Sequence, residues 1–283
     1  MTSREVLTRP APPPDAVLRY GGGKDQIADL RLPHRQSASS ADGVTDPAPI
    51  VVLIHGGFWR DEYDRAHLGP RAAALAARGY AVCVPEFHRS SPGHSGWPDT
   101  FGDVATAADT LPGMMTEAAG AGAVDPEHVL LAGHSAGGHL ALWAAARHRL
   151  PADAPWRTQA PPAVRGVIAL AAVSDLVACH DQGMGDGAAA ALMGGPPELV
   201  PDRFAAADPA GLLPLGRPVW LIHGTDDMNV PVGMSRAFAA RARAAGDDAE
   251  LRELSGCDHF NLIDPLSDAW PQVLAVFADA ALR

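Results

Sequence analysis

The chain has 283 residues, 47% of them apolar and 19% charged, with 22 Lys and Arg against 33 Asp and Glu, a formal net charge of −11. That composition supports one large packed domain and argues against intrinsic disorder. The acidic balance also argues against nucleic-acid backbones and anionic membrane surfaces as partners, since both favour basic patches.

Residues 1–17 contain Pro10, Pro12, Pro13 and Pro14 and read as an extended lead-in. From Leu18 to Leu32 two alternating runs flank three glycines, which predicts an antiparallel hairpin. Residues 34–49 read as a polar loop. The period then changes. Ile50–Ile54 is a continuous apolar run, the pattern of a strand buried on both faces of a parallel sheet. Leu68, Ala72, Leu75 and Ala76 repeat at helical spacing and stop at Gly79. Tyr80–Val84 is a second buried strand, Thr100–Thr116 a helix weakened by Pro112, His128–Ala132 a third strand and Gly138–His148 a helix. Val164–Val173 and Pro218–His223 give two more strands. A helix over Gly233–Ala245, a strand over Glu250–Leu254 and a last helix from about Leu266 to Leu282 follow. This alternation predicts an α/β fold, a mostly parallel central sheet with helices on both faces. Residues 183–214 break the rhythm and read as a small cap inserted into a single domain spanning 18–283.

No stretch reaches the ~18 apolar residues of a membrane helix, and the first ten residues lack the apolar centre of a secretion signal. A soluble cytoplasmic protein is expected. Cys83, Cys179 and Cys257 are widely spaced and form no C-x-x-C, so neither a disulfide framework nor a zinc site is expected.

Gly133-His134-Ser135-Ala136-Gly137 closes one predicted buried strand and opens a helix. That context suits a nucleophile carried on a sharp turn above the sheet edge, with Ser135 as its hydroxyl. His55-Gly56-Gly57-Phe58-Trp59 follows another buried strand. There the glycine pair and the N–H of Ala136 suit an oxyanion hole made by Gly56, Gly57 and Ala136. Asp226 and Asp227 both stand after the fifth strand of the parallel series, where an orienting acid belongs. His259 is the one histidine after the last strand, 32 residues beyond Asp227, and suits a general base. Phe58, Trp59 and Trp97 are candidate pocket residues, with ordinary core packing an equal reading for both tryptophans. Phosphate loops, dinucleotide glycine patterns and H-E-x-x-H are missing, and His88 and His94 lack a third ligand, so neither cofactor nor metal is expected. The expected partner is a small molecule bearing an acyl or formyl group, with a homodimer left open.

With Gly133–Leu140 and Asp258-His259-Phe260, the His55–Trp59 segment resembles the arylformamidases (kynurenine formamidases), within the esterase and lipase group of the α/β-hydrolase fold. That resemblance covers roughly residues 18–280. It implies the triad Ser135, Asp227 and His259, because Asp227 has the H-G-x-x-D-x-x-V-P spacing from His223 to Pro231. It implies hydrolysis of N-formylkynurenine, a step of tryptophan catabolism. Glu86–Pro92 departs from the tyrosine-containing run common in that group, and selectivity would be built at Ser90–Asp99 and in the cap. The alternative is a carboxylesterase acting on small acyl esters. A non-catalytic binding module is disfavoured because no triad member is missing.

Overall fold

The computed structural model describes residues 3–33, 46–160 and 162–282. Its strands are β1 (Ala16–Arg19), β2 (Ile27–Arg31), β3 (Ala48–Ile54), β4 (Ala81–Pro85), β5 (Val124–His134), β6 (Gly166–Leu170), β7 (Val219–Gly224) and β8 (Ala249–Leu254). They form one sheet in the order β1-β2-β4-β3-β5-β6-β7-β8. From β4 to β8 every pairing is parallel, while β1 and β2 form the antiparallel hairpin at one edge.

Both faces of the sheet are covered, which explains why its strands read as unbroken apolar runs. Along β3, Ile50, Val52 and Ile54 enter one core cluster and Val51 and Leu53 the other. The first cluster receives α2 (Asp99–Ala119), α3 (Ala136–Ala146) and α7 (Val232–Ala244). The second receives α1 (Gly69–Ala76) and α8 (Trp270–Leu282). Every residue of α3 is buried, so the helix that follows the serine turn is held on all sides.

Several boundaries differ from the sequence reading, each for a local reason. Ser3–Thr8 is not extended but forms a 3₁₀ turn, with Val6 sealed in the second cluster. Most of the predicted 34–49 loop lies outside the described residues, and Ala48 and Pro49 already pair with β5. The helix over 99–119 runs through Pro112. Strand β6 is shorter than 164–173, because Ala171 turns at φ 44°. The last helix starts at Trp270, after a looped 266–269. Between β6 and β7 lie α4 (Leu176–Asp181), α5 (Ala188–Met193) and α6 (Pro201–Ala207); the last two fall within the predicted cap. No helix among the described residues is long and apolar enough to cross a membrane.

Candidate active site

The parallel strands β3, β5 and β7 and the neighbouring β8 deliver the candidate residues at their carboxyl ends, where open α/β sheets form their crevices. Ser135 follows β5 directly at φ 56°, ψ −121°, a backbone region that costs a non-glycine residue about 1–3 kcal/mol. Its surroundings hold that turn in place. The Ser135 N–H donates to Leu170 O at 2.8 Å, and its carbonyl accepts from His139 N at 3.1 Å and Val173 N at 3.2 Å. Close approach of strand and helix explains the flanking glycines. A Cβ on Gly133 would fall 2.1 Å from Gly137 O, and one on Gly137 would fall 2.2 Å from Ile54 O.

Asp227 lies after β7 and is buried. Its Oδ1 accepts the N–H groups of Asn229 and Val230, both at 2.8 Å. Its Oδ2 accepts from Nδ1 of His259 at 2.6 Å, so in the neutral imidazole the ring proton sits on Nδ1 and Nε2 is the acceptor. Burial alone would raise the Asp227 pKa. Hydrogen bonds from His223 and His259, with the charge of His259 and the Val230 N–H, instead hold it well below the usual carboxylate range. His223 Nε2 also donates to Val230 O at 2.8 Å, while Nδ1 meets Ser235 Oγ at 2.7 Å. Asp226, the competing acid, is exposed and accepts from the Thr225 hydroxyl. Of the two, Asp227 is the one bonded to His259.

Ser135 and His259 line one cavity of about 210 Å³, together with Gly57, Phe58, His134 and Phe260. His134 Nε2 donates to the carbonyl of His259 at 2.9 Å, so the residue before the serine fixes the backbone of the histidine. Burial, then the neighbouring His259, pushes the His134 pKa well down and keeps it neutral.

Gly57 stands at φ 110°, and a Cβ there would fall 2.5 Å from Tyr63 Cβ. The Gly56 carbonyl is held by His55 Nδ1 at 2.9 Å. In a trans peptide the C=O and the following N–H point in opposite directions, so this bond turns the Gly57 N–H away from His55. Behind it, His55 Nε2 meets Glu86 Oε1 at 2.8 Å. Burial acts to raise the Glu86 carboxyl, but the hydrogen bond and charge of His55, then Arg89 and the Arg65 N–H, bring it below its ordinary value. Ala136 opens α3, where the first N–H groups of a helix have no internal acceptor.

The candidate pocket aromatics separate. Phe58 lines the cavity. Trp59 does not; it is buried in the first core cluster and stands edge-on to His139 at 5.1 Å. Trp97 packs on Phe101 and Trp156 at 5.3 and 5.0 Å, also away from the cavity. Both tryptophans are therefore packing residues. Several lining residues escaped the sequence reading, Arg4, Leu7 and Tyr63 among them. No motif marks these three, because they reach the site from a proline-rich lead-in and from the segment before α1. Among the described residues no group of three or more His, Cys, Asp and Glu could hold a metal ion.

The BD-FAE family profile matches residues 40–241. A probable isoprenylcysteine alpha-carbonyl methylesterase of Oryza sativa subsp. japonica is 29% identical over 88% of this chain and 60% of its own length. Esterase LipC of Mycobacterium tuberculosis is 30% identical over 79% of this chain and 56% of its own. The chain thus spans little more than half the length of these relatives. Among solved structures, a truncated carbohydrate esterase from gut microbiota superposes with a TM-score of 0.75 at 19% identity, covering 97% of this chain and 99% of that one. Esterase B from Lactobacillus rhamnosis gives 0.74 at 21%, over 99% and 91%. Sheet order, serine turn and profile agree: the chain belongs to the BD-FAE family and has the α/β-hydrolase fold.

Proposed function

We propose that the chain is a serine carboxylesterase acting on small acyl esters. The observation that carries this reading is the 2.6 Å bond from His259 to a buried, ionised Asp227, beside a cavity that Ser135 also lines. Ser135 Oγ attacks the ester carbonyl while Nε2 of His259 takes its proton. The N–H groups of Gly57 and Ala136 receive the oxyanion. As the tetrahedral intermediate collapses, His259 returns the proton to the departing alcohol. Water, deprotonated by the same nitrogen, then releases the acid from Ser135. Asp227 holds the tautomer and balances the imidazolium formed at each step.

A cavity of about 210 Å³ suits a short acyl chain. The esterase names of the relatives support the same reading. The arylformamidase reading rests on the His55–Trp59 motif with Gly133–Leu140 and Asp258–Phe260, and the burial of Trp59 removes that side chain from substrate contact. Comparison of kcat/KM for p-nitrophenyl acetate and butyrate with that for N-formylkynurenine tests the choice. The esters should be preferred by at least tenfold; a preference for the formyl amide would reverse the assignment.

One observation favours a polar alcohol in the ester. A second cavity of about 650 Å³ shares Arg60 and Glu62 with the catalytic one and is lined by Asp61, Ser90, Ser91, His94 and Ser95. Such a lining suits a polyhydroxylated leaving group. Acetylated sugars should then be hydrolysed with a lower KM than ethyl acetate.

A further inference from the structure

The first described residues, 3 to 9, lie against the loop that carries His259, more than 250 positions away in sequence. Two polar bonds tie them there. The Ser3 hydroxyl donates to Asp258 Oδ2, and the Arg9 guanidinium grips both oxygens of Asp264, one of them at 2.9 Å. These acids also shape the loop itself. Asp258 Oδ1 accepts the N–H groups of Phe260 and Asn261, the two residues after His259, at 2.9 and 3.0 Å. Asp264 Oδ1 accepts Leu266 N at 2.8 Å. Between the two bonds Val6 is fully buried in the second core cluster, which anchors the segment by its side chain as well.

Two further side chains of the segment, Arg4 and Leu7, face the chemistry. Arg4 lies 5.4 Å over the ring of Phe260, and that ring stands edge-on to His259 at 5.3 Å, so guanidinium, phenyl and imidazole are in contact one after the other. Arg4 and Leu7 line the cavity that contains Ser135 and His259. Leu7, Phe58 and Phe260 supply its apolar side chains, whereas the adjoining cleft carries serines and charges. That contrast assigns the acyl chain to the cavity Leu7 walls.

We infer that residues 3–9 are a working part of the active site: they position the His259 loop through Asp258 and Asp264, and Leu7 sets the acyl length the cavity accepts. This rests on the carboxylesterase reading for its substrates. Arg9 and Ser3 act through the loop and are positioning residues; Leu7 is a specificity residue.

The test measures kcat and kcat/KM of the full chain on p-nitrophenyl acetate and hexanoate, with the rate of fluorophosphonate labelling of Ser135 and the melting temperature. Arg9→Ala should lower kcat on both esters and the labelling rate by about five- to thirtyfold, leaving the hexanoate-to-acetate ratio of kcat/KM unchanged. Arg9→Lys should recover part of that loss. Leu7→Ala should raise the ratio at least fivefold, since one methylene in an apolar pocket is worth roughly ten- to two-hundredfold. Should Arg9→Ala not fold, Ser3→Ala probes the other bond, with a loss of about threefold or more in kcat. Folded variants that keep kcat, labelling rate and chain-length ratio within twofold of the parent overturn the inference. A parent chain that is labelled at Ser135 but hydrolyses neither ester removes the carboxylesterase reading instead. The labelling rates of Arg9→Ala and Ser3→Ala then decide the positioning role alone.

Discussion

At the scale of single residues, the separation of Asp227 from Asp226 shows how a site discriminates between chemically identical neighbours. One is buried and satisfied by two backbone N–H groups and two imidazoles; the other is exposed and bonded to a threonine hydroxyl. Asp227→Asn should therefore lower kcat by about 10⁴, because an amide that donates to Nδ1 selects the wrong tautomer of His259. Steady-state kinetics on p-nitrophenyl acetate checks this, and Asp226→Asn in parallel should stay within threefold of the parent. Ser135→Ala and His259→Ala should each cost several powers of ten, and the double variant little more, since the residues act as one unit. These candidates are legible in the sequence because the proposed chemistry demands rare types at fixed places, a serine between glycines after an apolar strand above all. Trp59 and Trp97 are not, because an aromatic beside a motif suits a pocket or a core equally well. Only packing separates the two.

At the scale of elements, the proposed chemistry depends on loops held from behind. The turn after β3 runs at positive φ through Gly57, Phe58 and Trp59, strained at the two aromatics, and its Gly56 carbonyl is pinned by His55, itself braced on Glu86. Glu86→Gln should loosen that brace and lower kcat by roughly tenfold with little change in KM, since an oxyanion donor lost outright costs about 10²–10³. An unchanged kcat, or a change confined to KM, would show that the loop holds its shape without Glu86. The strands around these loops were legible as apolar runs, and β1–β2 as alternation around glycines. Boundaries were less so. In the sequence Pro112 marks a weakened helix, yet the buried face of Phe101, Val104, Leu111 and Met115 carries it past the missing N–H. The docking of residues 3–9 left no periodic trace at all, because six residues in a 3₁₀ turn bury a single side chain, Val6.

At the scale of the whole molecule, burial of histidines ties stability to pH. Burial, more than any neighbour, lowers His67 and His139 to about 4. Unfolded, both would bind protons near the ordinary value of about 6.5. Between those limits the unfolded chain holds more protons than the folded one, so stability rises with pH through this window and is lost on acidification. Each group contributes on the order of 1 kcal/mol per pH unit there. The melting temperature should fall from pH 7 to pH 5. In His139→Gln, which can still donate to Ala207 O, the fall should be shallower; an equal slope in parent and variant would exclude His139 as a cause.

In the proposed mechanism Ser135 is a nucleophile activated by His259. Fluorophosphonate treatment of the native chain followed by peptide mass spectrometry tests it most directly. A single adduct on Ser135, lost in His259→Ala and in denatured protein, is the expected result. An adduct on another residue, or an unlabelled native Ser135, would contradict the account.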